Sequence, residues 1–565
     1  MKPMDNSERS EMMLRRLAWT MVSLAGLFTL AILLSGVPLV GYDAFFHLNN
    51  LAQYTNLREA GATIPRWTPN SYFGFGSATF YFYPPLTYII GSIFYGLTHS
   101  FPWSMRMVSM FGMVSMVASC RWYLSMLGLR GRNAWLASIV YAVGPYAFYD
   151  LIIRSNYPEF LSLAWVPIVF GSVEQSLRSD DGSKKLLAVV SGCVGCSLMI
   201  LTSIPMTAVL ACALPFYFVV RLQGRRISCA IPFVLSVFLA MWCTAFYLWP
   251  ILQFQHAAHL DYVSALGNER WFGTSLINQL LSGKNRTDSY FAVLMLVLCS
   301  MLEVLWFIRW RKDRGTLSLG WVVLLGIVLL AQFPALAVPV VRVVPILGII
   351  QFPPRFYVFI GFALSVLLAV EGKLFERKSV YILVSGASCL ALVFGCSYFY
   401  LHSFQTLTEF PIEQKMQWSA FEYVPVQTIG DTATIQLYTK VHQNDPEIAA
   451  CTLLKVGDMI RTIDVQGNTS HFQIDLHDSL QVRFHHFYWP MWHLSSSIGN
   501  RIATAPDTNG ILTAVLPSGR YALTLEIARS DTERLGEELS LFGVGILVLL
   551  YASDRVLAAR RTVLK

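Results

Sequence analysis

Charge is what this sequence has least of. Only 13% of its 565 residues are Asp, Glu, Lys or Arg, against about a quarter in a soluble domain. With 55% hydrophobic residues, that scarcity excludes an ordinary soluble globular protein and leaves a polytopic membrane protein. Runs such as "LAWTMVSLAGLFTLAILLSGVPLV" and "YILVSGASCLALVFGC" are long enough to cross about 30 Å of hydrocarbon.

Other absences narrow the chemistry. No basic stripe with interleaved aromatics occurs in a polar segment. The net charge of +8 is therefore assigned to loops beside anionic lipid, and no nucleic-acid partner is expected. No G-x-G-x-x-G follows a strand, so "GFG" at 74–76 is not a nucleotide-binding loop. No disulfide framework is expected either, because nearly all ten cysteines lie inside apolar runs and only Cys451 falls in the large polar segment. Cys193 and Cys196 form a C-x-x-C within a predicted membrane helix and read as packing residues. The first apolar run has no A-x-A cleavage site and exceeds a signal h-region in length, which reads as a retained anchor.

What is present begins with basic clusters in short loops: "MLRR", "LRGRN", "RSDDGSKK", "RLQGRR", "RWRKDR", "EGKLFERK" and the tail "AARR". Placing them all in the cytoplasm sets the topology. About twelve spans follow, at 17–40, 104–127, 134–150, 160–176, 187–203, 206–221, 228–250, 290–309, 317–333, 355–371, 379–397 and 538–555. Both termini are then cytoplasmic, in a multi-pass membrane protein. Residues 41–103 form an outer loop with interfacial helices, because a further span at "PPLTYIIGSIFYGL" would invert every later basic loop. "PALAVPVVRVVPILGIIQFPPRF" is outside or re-entrant by the same logic.

Three regions result: a transmembrane domain at 1–397, a β-rich extracytoplasmic domain at 398–536, and a last helix with tail at 537–565. The β-rich reading rests on two-residue alternation in "ATIQLYT", "FQIDLH" and "YALTLEI", with turns at "QGN", "DTNG" and "PSG". Such strands suit a small sandwich.

Parity also gathers the unusual polar residues on the outer side. Asp43 and His47 lie in "GYDAFFHL", Arg154 and Glu159 in "IIRSNYPEF", and Gln351 and Arg355 in "QFPPRF". Gln255, His256, His259 and Asp261 follow "FYLWP". Polar groups at one depth on several helices suggest an interfacial site. Asp43 and His47, four residues apart, share a helix face, where they could polarise an acceptor hydroxyl or supply two metal ligands. An interfacial helix with a polar face explains the pair equally. Arg154 and Glu159 could simply pair with each other, or serve an anion and an acceptor. Arg355 can grip a phosphate through two hydrogen bonds, or anchor at the headgroups. The aromatic stretch "PRWTPNSYFGFGSATFYFYPPLTY", which includes Tyr83, suits a membrane belt, or stacking on sugars and a polyprenyl groove.

These motifs, with "LREAGATIPRWTPNSYFGFGSATFYFYPPLTY", "FYLWP", "EYVP" and "FYWPMWHL … GILTAVLPSGRYALTLEI", carry a resemblance over nearly the whole chain. The sequence resembles the bacterial membrane family labelled 6-pyruvoyl-tetrahydropterin synthase-related and is similar to YfhO-like membrane proteins. The label does not describe the chemistry. Pterin synthases use spaced histidines on zinc, and "RFHHF" offers only adjacent His485 and His486, on opposite faces of a strand. What the resemblance implies is a GT-C-type membrane glycosyltransferase, taking a sugar from a polyprenyl-phosphate carrier outside the membrane. In that frame Asp43 matches the first-loop acid, Glu159 the second-loop acid, and Arg355 a donor-phosphate contact. The sequence departs from that pattern in "RSNYPEF", where "RGA" is expected before the acid, and at Ser203 of "LTSIP", where relatives often have His.

The expectation is therefore a GT-C-like fold of about twelve helices with an outer β-sandwich. It would transfer a sugar to an envelope polysaccharide, lipid or protein. Asp43 and Glu159 are the candidate catalytic residues; His47, Arg154, Arg355, Gln351, Tyr83 and His256 are candidate substrate contacts. Asp43, His47 and Glu159 are the groups a divalent metal ion would use, and no cofactor is otherwise implied. The alternatives are a non-catalytic scaffold binding glycan or a partner through the β-domain, and a lipid or polymer transporter.

Overall fold

Apolar segments in lipid must satisfy their own backbone groups, which makes helices the default for this composition. The computed structural model describes residues 5–35, 41–178, 182–260, 286–370, 377–389, 391–393, 420–428, 435, 459–466 and 468–563. Among them, eight helices are long and apolar enough to cross a membrane, or up to ten if each bent pair counts as one span. The protein is mostly helical, with a strand-rich region near its C-terminus.

The spans expected at 134–150 and 160–176 are the central pair. Their helical segments, Arg132–Arg154 and Tyr157–Arg178, are 94% and 89% buried. The last span, Asp531–Ser553, is only 17% buried and lies at the periphery. Polar groups on the central pair are therefore shielded by protein. Two expected spans are not straight. That at 228–250 breaks between Ile227–Cys243 and Ala245–Phe254 with a 71° bend. That at 317–333, seen as Thr316–Ala331, turns by 92° into Pro334–Val343, where prolines at the start and middle deny the chain a straight continuation. The 41–103 segment contains the helices Ala44–Glu59 and Leu86–Thr98, the latter too short for a full crossing. Residue 390, residues 394–397 and all of 398–419 lie outside the described residues, as does "ATIQLYT" apart from Ile435.

An ion pair sits buried between the helices Val166–Arg178 and Ile204–Leu222. Arg221 donates from Nε to Glu174 Oε1 at 2.8 Å, and its Nη2 meets Oε2 at 2.5 Å. Tyr217 donates to the same Oε1 at 2.8 Å, and Arg221 Nη1 donates to Thr316 Oγ1 at 2.6 Å. Removing one partner leaves a desolvated charge. Glu174→Gln is expected to cost about 3–5 kcal/mol, read as a lowered unfolding midpoint of the detergent-purified protein. Replacing both residues by apolar ones of similar volume should recover most of that loss; no recovery would refute the pairing account.

The strands form two antiparallel sheets. β1 (Met459–Gln466), β2 (Thr469–Leu476), β8 (Gly519–Ile527), β4 (Trp492–Ser496) and β5 (Arg501–Ile502) make one sheet, in that order. β3 (Leu480–Phe487), β7 (Ile511–Leu516) and β6 (Ala505–Pro506) make the other. β2 alternates buried and open positions, as a half-buried strand must. The expected opposition of His485 and His486 is visible. His485 Nε2 lies 3.0 Å from Phe73 O, while His486 stacks on Trp492.

The strand region and the 41–103 segment share one core. Trp67, Tyr72, Phe75, Tyr81 and Phe82 cluster with Phe487, Trp489, Trp492 and Phe254. Most rings of the aromatic stretch are thus buried under the strands, where they form neither a membrane belt nor the wall of a carrier groove. Burying rings of this size stabilises the contact by about 2 kcal/mol each, more than presenting them to water could. The loop is pinned by Phe487 N–H donating to Phe75 O at 2.7 Å and by Ala78 N–H donating to Tyr423 O at 3.0 Å.

Candidate functional site

The segment Gly41-Tyr42-Asp43 docks along the backbone of residues 153–155. Gly41 N–H donates to Ser155 Oγ at 3.0 Å, Tyr42 N–H to Ile153 O at 3.3 Å, and Asp43 N–H to Arg154 O at 2.8 Å. The approach is so close that a Cβ on Gly41 would stand 2.5 Å from the Arg154 carbonyl carbon. The docking sets Asp43 beside Arg154. Asp43 N-caps Ala44–Glu59, yet its carboxylate makes no cap hydrogen bond. It meets Arg154 Nη2 at 3.2 Å instead.

Arg154 ends a single π-helical turn, Tyr149–Arg154, after which Ser155 takes a left-handed conformation (φ 53°). π-turns are rare and frequent at functional sites. The turn is followed by Asn156, whose side chain accepts from Glu159 N–H at 3.2 Å and caps the next helix. Glu159 is thereby aimed back at Arg154. Arg154 Nη1 lies 2.9 Å from Glu159 Oε2 and 3.1 Å from Asp150 Oδ1. Arg355, held behind Pro353 and Pro354, brings Nε to 2.9 Å from the same Glu159 oxygen. Its Nη1 donates to Ile350 O and, at 3.2 Å, to Gln351 Oε1. Tyr146 donates to Glu159 Oε1, and Asn156 Nδ2 to Oε2 at 3.3 Å.

Three carboxylates and two guanidiniums thus form one network with one formal negative charge left over. Glu159 and Asp150 are sealed, at 1% and 0% side-chain exposure, whereas Asp43 is 37% exposed. Asp43 is the carboxylate of the three that opens to solvent. The Phe352 ring lies under both cations, 5.7 Å from the Arg154 guanidinium and 5.0 Å from that of Arg355, a desolvated cation–π arrangement.

His47 stands apart from Asp43 chemically. Its Nδ1 lies 2.9 Å from Tyr88 Oη, and its ring contacts Phe46, Tyr83 and Tyr157. Burial pushes its pKa from 6.5 down to about 4, against the opposing pull of Asp43. A histidine whose folded pKa is depressed stabilises the fold fully above 6.5 and loses that contribution as pH falls toward 4. The loss is on the order of 3 kcal/mol. The stability difference between the native chain and His47→Gln should therefore change between pH 6.5 and 4, and pH-independence would refute the burial account.

The structure brings together Asp43, Arg154, Glu159, Gln351 and Arg355, with Tyr83 and His47 alongside. It does not bring in His256, which is exposed after the bent helix Ala245–Phe254 and touches none of these groups. That histidine is placed instead where the chain turns to pair Ala258 with Pro425. The metal set is also corrected. Among the described residues no three His, Cys, Asp or Glu side chains could hold an ion together. Glu159 and Asp43 face guanidiniums, and His47 faces Tyr88, so Asp43, His47 and Glu159 do not fit a metal as a group. Sequence reading missed Asp150, although its four-residue spacing from Arg154 in "DLIIR" signals a shared helix face. It also missed Tyr146 and Gly41, which nothing local distinguishes.

Residues 80–401 match the family described as "6-pyruvoyl-tetrahydropterin synthase related domain; membrane protein". The chain belongs to this family. The Asp43–Arg154–Glu159–Arg355 network of this member thus lies almost wholly within the matched region, Asp43 standing outside it. No curated protein matches the chain. Among solved structures, it is similar to the arabinofuranosyltransferase AftD from Mycobacteria, at 15% identity and TM-score 0.41, covering 67% of this chain and 27% of that one. It is also similar to the Archaeoglobus fulgidus oligosaccharyltransferase tethered with an acceptor peptide, at 12% identity and TM-score 0.39, covering 76% and 57%. The chain therefore spans between about a quarter and somewhat over half of the length of these solved proteins.

Proposed function

We propose that this chain is a GT-C-type membrane glycosyltransferase. It transfers a sugar from a polyprenyl-phosphate carrier to an envelope polysaccharide, lipid or protein on the extracytoplasmic face of a bacterial inner membrane. In this reading residues 1–397 are the transferase domain, about twelve helices cross the bilayer with both termini cytoplasmic, and 398–536 form an outer β-sandwich. The observation that carries it is the half-open carboxylate of Asp43 beside Arg154, which shares the buried Glu159 with Arg355.

That arrangement separates the two tasks of glycosyl transfer. Asp43 accepts the proton of an acceptor hydroxyl as its oxygen bonds to the anomeric carbon. The bond from that carbon to the carrier phosphate breaks, and its electron pair leaves on the phosphate oxygen. Arg355, with Arg154 beside it, steadies the departing charge. One in-line displacement inverts the anomeric configuration. Glu159 holds both guanidiniums in register, and Asp150 fixes Arg154 from the other side.

One observation favours a second reading, a non-catalytic glycan-binding scaffold: Asp43 is already engaged by Arg154. The two part on one experiment. Asp43→Asn and Asp43→Ala, expressed at native level in cells lacking the endogenous copy, are expected to lower envelope glycan at least about 100-fold, the scale of a lost general base. Normal glycan with both variants sinks the catalytic reading and leaves the scaffold.

A further inference from the structure

The motif "EYVP" at 422–425 has no part in the network described above, yet the fold carries it to the network's edge. Residues 421–423 make one short helical turn after a long polar stretch. Their anchorage is to the 41–103 segment. Tyr423 O accepts from Ala78 N–H at 3.0 Å and from Ser77 Oγ at 3.1 Å, and Val424 O accepts from His259 N–H at 3.2 Å. The backbone of Tyr423 is thus clamped on two sides.

The clamp directs its ring toward Tyr83. The two rings meet edge to face at 5.9 Å and 88°, while Phe82 stacks on the other side of Tyr423 at 6.3 Å and 14°. Tyr83 in turn contacts Phe46 at 5.3 Å and His47 at 6.1 Å, on the helix that Asp43 caps. Both phenols lie in the field of Arg355, and Tyr83 in that of Asp43 as well. Tyr423 is half-buried, and among the described residues no group hydrogen-bonds its hydroxyl. A clamped, partly open aromatic ring thus stands beside Tyr83 and within the electrostatic reach of Arg355.

Resting on the transferase reading, we propose that Tyr423 is a substrate-contacting residue. With Tyr83 it forms an aromatic wall for the sugar ring of the donor, supplied from beyond the transmembrane helices. Sugar C–H groups are apolar and weakly positive, and aromatic faces carry the complementary negative quadrupole. The wall therefore selects the sugar, while Arg355 selects the phosphate. The role explains why a short turn of "EYVP" is tied down by two backbone hydrogen bonds although the polar stretch around it is long.

The test uses the full chain in cells, with envelope glycan as readout, and in lipid nanodiscs, with sugar-free polyprenyl phosphate as the binding probe. Tyr423→Ala and Tyr423→Leu are expected to lower glycan at least about tenfold, and Tyr423→Phe to keep most of it, because the ring does the work. Tyr423→Leu retains bulk against Phe82 and keeps the test meaningful if alanine loosens the turn. Binding of sugar-free polyprenyl phosphate should stay within about twofold for all three, and be lost in Arg355→Gln. Normal glycan in Tyr423→Leu, alongside loss in Asp43→Asn, overturns the aromatic wall and spares the transferase reading. A phenylalanine variant as inactive as the leucine one also overturns it, by assigning the effect to the hydroxyl. Normal glycan in Asp43→Asn sinks both.

Discussion

Glu159→Gln is expected to abolish glycan transfer and, unlike Asp43→Asn, to lower the unfolding midpoint as well. Four donors converge on the Glu159 carboxylate: Tyr146 Oη, Asn156 Nδ2, Arg154 Nη1 and Arg355 Nε. Glutamine keeps the shape but removes the charge, and its amide nitrogen turns two hydrogens toward groups that are themselves donors. Two guanidiniums would then share a sealed space with less counter-charge. Breaking a buried ionic contact by one partner costs about 3–5 kcal/mol. Asp43 differs because it is 37% exposed and meets one guanidinium, so its pairing adds at most about 1 kcal/mol. The pair of variants separates architecture from chemistry. Loss of glycan in both, with a lowered midpoint in Glu159→Gln alone, is the expected pattern. An unchanged midpoint in Glu159→Gln would show that the arginines do not depend on this acid.

Gly41→Ala is expected to be nearly as damaging to transfer, though it changes no polar group. An added Cβ would lie 2.5 to 2.6 Å from the Arg154 carbonyl carbon, Ile153 O and Ser155 N. All three are backbone atoms and cannot swing aside as a side chain would. The 41–43 segment must lift, lengthening the hydrogen bonds of Tyr42 and Asp43 to 153–154. A shift near 1 Å at a reacting group costs about 100-fold in rate, whereas overpacking at a segment end costs about 1–3 kcal/mol of stability. Glycan output and unfolding midpoint, measured on the same preparation, separate the two effects. Native output in Gly41→Ala would show that this docking does not position Asp43.

Much of the architecture was legible in the residues because bilayer and sheet impose periods on them. Long apolar runs mark the helices, and two-residue alternation in "FQIDLH" and "YALTLEI" marks β2 and β8. The 71° break at Thr244 was less legible than the 92° turn at Pro334, which its prolines mark. The aromatic stretch 65–88 misled for its own reason. Rings at an interface look alike whether they face lipid, sugar or protein, and here the strand-rich region covers most of them.

The sequence by itself determined that this is a multi-helix membrane protein with a strand-rich region near its C-terminus, and it drew attention to Asp43, Arg154, Glu159 and Arg355. Those are matters of composition and of charge placed where charge is costly. Only the tertiary structure decided that these four meet, that Asp150 and Tyr146 belong with them, and that His256 does not. The physical reason is separation along the chain. Asp43 is 111 residues from Arg154, and Glu159 is 196 from Arg355. Which carboxylate stays open to solvent, and which guanidinium it faces, follows from close backbone docking at Gly41 and a π-turn at Tyr149–Arg154. Neither leaves a periodic trace.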